Sequence, residues 1–559
     1  MKKYILPILG MVTLPVVAQN MTDAVSIASK DIAGSARYRA MGGAFGALGG
    51  EVSAMGDNPA GLGVFRGSDQ MVLTPSLSIN TTGTNGSNKI KSTKADAAFS
   101  NLGFVMSFKT SGSSSLSFVN FGVNIRHSEG INRKYKTALS NAEFSMGEYM
   151  ANRACNALLV DGHYGIKGYL GTDDAWSNNL YPLSTLVGYN SYAIDDELAD
   201  GNTYTIIPKA GVDKDGYSRV GNQQLYVKQK TRMDEYDINL AANWDDFFYA
   251  GLTVSIADYS SITNSGYYED FGSGQEMDYY NDIETKGSGA SVKAGMLIRP
   301  TDQLRIGAAV HSPTWIKLTD YYSADSKTHL VKDRAYSGTY DYRYRYFSPW
   351  EYQLSAAYIF GKKGLVSVEY DMTDYATAKM KKVEDDFGGS WSVDPFADLN
   401  DAMQNDYLTL QHTIKAGAEY RLTNTMSLRA GYVFKSSPYQ SCTFDNVSRS
   451  WTNGNFGDDN TLLFDSSTKP NYTLLNTQQY FSCGVGWRWK DWFLDLSVQD
   501  RIMKEKVASF PTTDAIKNVN YDDGYVEFSN SWEYGAVRAT YVDMVTNSLR
   551  FDLTIGMTF

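Results

Sequence analysis

Three cysteines in 559 residues, at positions 155, 442 and 483, are too few to staple a chain of this size. An odd count leaves at least one thiol outside any intramolecular disulfide, and a Cys155–Cys442 bridge between loops stays open. Basic charge is also short. Against 62 Asp and Glu stand 51 Lys and Arg, a net charge of -11 that argues against nucleic acid as a partner. Beyond residue 18 no apolar run is long enough for a membrane helix, which needs ~20 residues, and the mean hydropathy is -0.35. Histidine numbers only 5, at positions 127, 163, 311, 329 and 412, with no His/Cys cluster at zinc-ligand spacing. No Gly-x-Ser-x-Gly elbow occurs. No metal, no cofactor and no enzymatic activity are therefore expected. A barrel lipid hydrolase is the weakest alternative, because a Ser–His–acid site converges in space and not in sequence. Acidic runs at Asp195-Asp196-Glu197 and Asp458-Asp459 could hold calcium, although such runs usually face solvent.

What is present begins with an export signal. Lys2 and Lys3 precede an apolar, uncharged stretch over 5–17, and Val16 and Ala18 put small residues where a signal peptidase reads. Residues 1–18 are expected to be removed. No Cys follows the cut, so no lipid anchor is expected. Tyrosine is abundant, and the 40 Tyr suit membrane-interface girdles and a polar lumen.

The C-terminus alternates without a slip. Leu549, Phe551, Leu553, Ile555, Met557 and Phe559 are apolar; Arg550, Asp552, Thr554, Gly556 and Thr558 are polar or small. A strand between lipid and a wet lumen needs this pattern. It recurs at Ile414–Leu422 against Lys415, Gly417, Glu419 and Arg421, and at Met426–Phe434 against Ser427, Arg429 and Gly431. Strands are expected near 70–80, 98–109, 115–127, 222–242, 246–266, 280–298, 303–320, 336–360, 364–375, 410–422, 426–436, 475–489, 492–503 and 547–559, about fourteen, an even number. Every second connection reads as short (110–114, 243–245, 299–302, 361–363, 423–425, 490–491). The others read as long (81–97, 128–221, 267–279, 321–335, 376–409, 437–474, 504–546). A transmembrane antiparallel β-barrel with tight periplasmic turns and long external loops fits this segregation. In the largest loop, 128–221, Ser140 and Glu143 read as a capping box for a helix carrying Met146, Tyr149, Met150, Ala154, Ala157 and Leu158 on one face.

Between signal and barrel, residues 19–67 are small, apolar and glycine-rich, without strand alternation. They contain Arg39-Ala40-Met41-Gly42-Gly43-Ala44-Phe45 and then Asn58-Pro59-Ala60-Gly61-Leu62. A plug, or hatch, inside a barrel spanning 68–559 is expected, with Asn58-Pro59-Ala60 as a fixed corner. On these two elements the chain resembles the family of long-chain fatty-acid and aromatic-hydrocarbon transporters of Gram-negative outer membranes, and looks like a Bacteroidota-type member. The resemblance implies a fourteen-stranded barrel plugged by an N-terminal hatch in the outer membrane. It implies passage of a hydrophobic small molecule from an external site past the hatch and sideways into the membrane. It also implies contact with outer-membrane lipid and lipopolysaccharide, and recognition of the final strand, ending in Phe559, by the barrel-assembly machinery. The family's opening lies at a kink in the third strand. Here the alternation slips between Phe118 and Phe121, at Val119-Asn120, as a bulge would make it. Pro313 and Pro349, inside strands, mark further bulges or strand ends. The alternative implied by relatives is a docking or shuttle barrel for secreted proteins.

Overall fold

The computed structural model describes residues 20–110, 115–163, 165–177, 181–200, 203–211, 221–383, 394–441, 469–511, 516–522, 525–534, 537 and 540–559. The signal segment, Cys442 and Asp458-Asp459 lie outside these residues.

One antiparallel sheet of 17 segments closes on itself. Three segments continue a preceding one, so the ring has fourteen strands. They are β1 Gln70–Asn85, β2 Lys89–Lys109, β3 Leu116–Ala142, β4 Gly221–Trp244, β5 Phe248–Gly272 and β6 Gln275–Ile298. Next come β7 Leu304–His311 with Trp315–Thr328, β8 Ala335–Phe347 with Trp350–Phe360, and β9 Gly364–Asp374 with Lys379–Lys382. The ring ends with β10 Leu410–Arg421, β11 Met426–Lys435, β12 Tyr472–Trp489, β13 Trp492–Ala508 and β14 Tyr541–Thr558. Pairing of β14 with β1 shuts it, and Phe559 and Asp69 exchange both backbone bonds at 3.0 Å beyond the last rung.

The period-two pattern sets the two faces. Leu240, Leu252, Ile256, Val368, Leu496 and Phe551 stand exposed on the outside, while Arg550, Asp552 and Thr554 are buried within. A belt of bare apolar side chains around a closed ring is a lipid-facing surface, and closure leaves no strand edge at its base. No described helix is long and apolar enough to cross a membrane.

Three expected loops are strand. The connections read as 81–97, 267–279 and 321–335 shrink to 86–88, 273–274 and 329–334, because β1–β2, β5–β6 and β7–β8 run on past the apolar belt. Above the lipid both faces of a strand are wet, so the ladder persists after the alternation ends. For the same reason β3 reaches Ala142, and the largest connection starts at 143, not 128. The proline sites interrupt β7 at 312–314 and β8 at 348–349 without opening the wall. Ser312 Oγ accepts from Val292 N at 3.0 Å, and Ser348 Oγ accepts from Thr314 N at 2.8 Å.

The expected loop helix spans Met146–Asp161, with a different cap from the one expected. Ser140 belongs to β3; the reciprocal box is Ser145 with Glu148, at 3.1 and 2.7 Å. The apolar face packs into a cap with Leu186, Val187, Phe510 and the strand tips at Tyr267 and Tyr279.

Candidate functional site

Residues 20–65 are mostly buried and pack against the inward-facing side chains of the strands. Helix α1, Met21–Ala28, is capped by Asn20, whose side chain accepts from Thr22 N at 2.9 Å. It lies among aromatic side chains high in the lumen: Met21, Val25 and Ile27 pack with Tyr259, Tyr344, Tyr346, Tyr375, Phe396 and Tyr472. Tyr346 OH donates to Ala24 O at 2.8 Å.

Below it the glycine-rich run folds into tight turns. Gly42 and Gly43 take φ of 63° and 74°, a region an L side chain rarely adopts. Phe45 is buried, stacked on Tyr38 at 5.4 Å, with the Arg37 guanidinium 5.2 Å from its ring. Asn58 caps the 3-10 turn Pro59–Val64: its Oδ1 accepts from Ala60 N at 3.1 Å. Its Nδ2 donates to Gly46 O at 2.7 Å and to Met296 O of β6 at 3.2 Å. Pro59 O accepts from Asn239 at 3.3 Å, and Gly61 O from Gly50 N at 3.0 Å. Ala60 packs on Tyr249 and Leu297, and Leu62 on Val52, Met55 and Phe65.

Charge ties this segment to the wall. Arg126 of β3 reaches Glu235 at 2.7 Å, Asp237 at 2.8 Å and the segment's Asp57 at 3.5 Å. Arg37 meets Glu419 at 3.0 Å, Arg39 meets Asp552 at 3.6 Å, and Asp31 lies 3.3 Å from Arg550. Burial opposes the charge on Asp31, yet Arg501, Arg39 and Arg550 hold its carboxyl below the ordinary range. Burial pushes the Glu51 carboxyl up, against the pull of Arg37. A polar cavity of about 100 Å³ remains between segment and wall, lined by Lys30, Asp31, Asp57, Glu351, Asp371 and Lys415 among others.

Glycine in the strands makes the seat, and the sequence reading passed over it. A Cβ on Gly295 would fall 2.0 Å from Asn58 Oδ1, on Gly251 2.4 Å from Pro59 C, and on Gly103 2.4 Å from Val52 Cγ1. On Gly122 it would fall 2.5 Å from Leu62 Cδ2, on Gly417 2.6 Å from Met41 O, and on Gly431 2.3 Å from Gly42 N. Glycines recurring on the inward parity of successive strands are the signal that would have found it. Replacing Gly295 with Val should unseat the Asn58 corner, at a cost of about 1–3 kcal/mol for forced overpacking. Limited proteolysis should then cut within 40–67 while the barrel keeps its heat-resistant gel mobility; an equally protected segment would contradict this.

The third strand departs from expectation. It is regular at Val119-Asn120, where Val119 pairs with Phe108 and Ala242, and Asn120 with Ser107 and Ala241. The slip in alternation has another origin. Asn120 is buried and donates to Leu62 O at 2.6 Å and Phe65 O at 3.0 Å, and Phe118, of the same inward parity, lies beside Gly67. Phe121 returns to the outward parity. The register shifts of β3 against β4 fall at Leu116/Phe118, Glu129/Asn132 and Leu139/Ala142. Against β2 the ladder stops at Asn101 and Arg126. Above that rung β2 pairs only with β1, and β3 only with β4. Between that rung and the hairpin tip, where Ser87 N donates to Ala138 O at 2.8 Å, side chains span this seam: Asn132 Nδ2 donates to Asp96 at 2.8 Å, and Ser78 Oγ to Glu129 at 2.9 Å. The inner segment meets the seam at its foot, where Ser100 Oγ donates to Gly34 O at 3.2 Å and accepts from Arg39 at 3.1 Å.

The remaining candidates are engaged elsewhere. His127 Nδ1 lies 2.5 Å from Asp234, and His412 Nδ1 lies 2.7 Å from Tyr370 OH. Asp196 accepts from Gly168 N at 2.8 Å, and Glu197 holds Lys209 at 2.7 Å. Cys155 is buried beside Ile206 O at 3.5 Å; Cys483 is exposed on β12.

No family model and no curated protein matches the chain. Solved structures do. A Pseudomonas aeruginosa FadL homologue is 12% identical, with 95% of this chain and 99% of that chain covered and a TM-score of 0.48. The P. putida toluene transporter TodX is 11% identical over 95% and 99%, at 0.49. The deltaS2 mutant of the TodX monoaromatic hydrocarbon channel is 11% identical over 94% and 98%, at 0.50. At these identities the likeness is one of fold.

Proposed function

We propose that this chain is a member of the transporter family its N-terminal elements resemble. In this reading it carries hydrophobic small molecules, fatty-acid-like or aromatic, through the outer membrane of a Gram-negative bacterium. The long connections face outside, and residues 19–67 act as the hatch. The seam between β2 and β3 carries the reading. Between Asn101 and the hairpin tip at Ser87 it is a stretch of wall without backbone bonds, and its foot rests on the hatch. A hydrophobic molecule has no reason to enter water when lipid lies beside it. The aromatic chamber around α1 offers a binding surface. From there the route passes over the hatch and out through the seam, where Phe99 is 68% exposed to lipid. This displaces the exit from Val119-Asn120 to the rungs above Asn101 and Arg126. Outer-membrane lipid and lipopolysaccharide surround the belt, and the strand ending in Phe559 is read by the barrel-assembly machinery.

A second reading, a docking barrel for secreted proteins, draws on one observation: α1 and the cap pack the upper lumen with side chains. Uptake of a labelled aromatic hydrocarbon and a labelled long-chain fatty acid, by cells with and without the protein, separates the two. Faster uptake of one of them, with an apolar molecule co-purifying in detergent, is expected. Equal uptake together with a co-purifying polypeptide would replace transport with docking.

A further inference from the structure

Two groups of outward cations stand on the upper strands among the described residues: Lys134, Lys228, Lys230 and Arg232 on β3 and β4, where Lys230 pairs with Asp96, and a row on β7 to β9. In the ladder Lys317 of β7 lies opposite Arg345 of β8, and Arg345 opposite Lys381 of β9. One pleat higher, Thr319 lies between Lys286 of β6 and Arg343 of β8. Antiparallel partners share a face, and the exposure of Lys317, Arg343 and Lys381 makes it the outer one. Strands lie about 4.8 Å apart, so Lys317, Arg345 and Lys381 form a row about 10 Å long.

Carboxylate partners are missing in this row, where Lys381 Nζ lies 5.8 Å from the centre of the Phe347 ring. Lys286 has Glu284 at 2.7 Å, and Arg343 has Asp341 at 3.8 Å. Among the described residues no carboxylate lies within ion-pair distance of Lys317, Arg345 or Lys381. Arg345 Nε is shielded from solvent and has no acceptor. Like charges on adjacent strands repel, and a shared anion removes the repulsion.

Height identifies the anion. Down β8 from Arg345 the outward residues run from Phe347 and Trp350 through Leu354 and Ala356 to Phe360 without a charge, down to the periplasmic turn. On β7 the residue below Lys317 on that face is Trp315, 48% exposed. The row therefore sits where acyl chains give way to headgroups, on the side of the long connections. A guanidinium presents two N–H donors to a phosphate, and lysine adds point charge.

We propose that Lys317, Arg345 and Lys381 bind the phosphate of an acylated, phosphorylated glycolipid of the outer leaflet, with Trp315 and Phe347 against its first acyl carbons. The assignment rests on the orientation argued above, which thiol labelling of a cysteine at Ser273 in intact cells reads separately.

The test uses full-length protein purified in mild detergent, stripped of lipid, and titrated with lipid A or dephosphorylated lipid A under native mass spectrometry. The wild-type protein should bind lipid A at least tenfold more tightly than its dephosphorylated form. The combined Lys317→Gln, Arg345→Gln, Lys381→Gln variant should lose that tenfold preference. A control with Lys228→Gln and Lys230→Gln on β4 should keep it. Gel mobility before heating checks that each barrel is folded. Equal binding by the triple variant and the wild type, or the same loss in the control, overturns the proposal. So does equal binding of phosphatidylglycerol by the wild type.

Discussion

Bridging cysteines at positions 96 and 132 with a short reducible thiol reagent is expected to lower uptake at least tenfold, and reduction is expected to restore it. Asp96 and Asn132 already meet across the seam at 2.8 Å. No backbone bond joins β2 to β3 between the rung at Asn101 and Arg126 and the hairpin tip, where Ser87 N donates to Ala138 O, so side chains hold the gap closed between these two points. Breaking such exposed or half-buried contacts costs about 1 kcal/mol each, within reach of thermal opening; breaking a covalent tether is not. The background carries Ser at Cys155, Cys442 and Cys483. The control places the same bridge at Phe108 and Val119, which stand opposite one another in the closed ladder, and should leave uptake unchanged. Uptake that survives the bridge at 96 and 132 would rule out the seam as the exit.

Replacing Arg126 with Met should free the hatch without unfolding the barrel. Its guanidinium joins Glu235, Asp237 and Asp57 at 2.7, 2.8 and 3.5 Å. Without it three carboxylates share a buried space with Lys30 and Lys293, and Lys293 lies 3.7 Å from both Glu235 and Asp237. Removing one side of a buried ion pair costs about 3–5 kcal/mol. Arg126 stands on the last rung between β2 and β3, and β3 stays paired with β4 through it, so the cost falls on the contact between Asp57 and the wall. Single proteins in planar bilayers should pass from closed to frequent ion-conducting steps, and protease should reach residues 40–67. A variant as silent as the wild type would show that Arg126 is not what secures the hatch.

The barrel was legible where lipid touches it. At Leu549–Phe559 or Ile414–Leu422 lipid demands an apolar residue at every second position, and the strands lie where that pattern runs. It was not legible above the lipid. Residues 89–97 and 267–272 are strand with both faces wet, so nothing in their polarity tells them from loop. The inner segment was legible as a glycine-rich run without alternation, and Asn58 bonds backbone ahead of its proline as its chemistry suggests. Its seat was not: Gly417 and Gly431 fitted the polar-or-small parity and looked ordinary there. On β3 the slip was real, but an inward Phe118 beside Gly67 and the register shift at Leu116/Phe118 produce it, and a bulge at Val119-Asn120 does not. The seam itself is a lost neighbour, a property of two strands together that neither strand's residues announce. Lys415, Glu419 and Arg429 were legible as inward polar groups, whereas their partners, set by strand adjacency and by Arg37, were not.

The ring's last strand also bears on the order of assembly. Chains are made from the N-terminus, so residues 20–67 exist before β14 does. The inward face of β14 is finished by those residues: Asp552 faces Arg39, and Thr554 Oγ1 accepts from Ala36 N at 2.7 Å. A cylinder sealed first would present glycine-lined hollows too close-fitting for a folded plug to enter through a mouth already lidded by its own loops. The segment is therefore expected to act as a mandrel, with the closing hairpin of β13 and β14 finding its register against it; refolding without residues 20–67 should then close the ring more slowly.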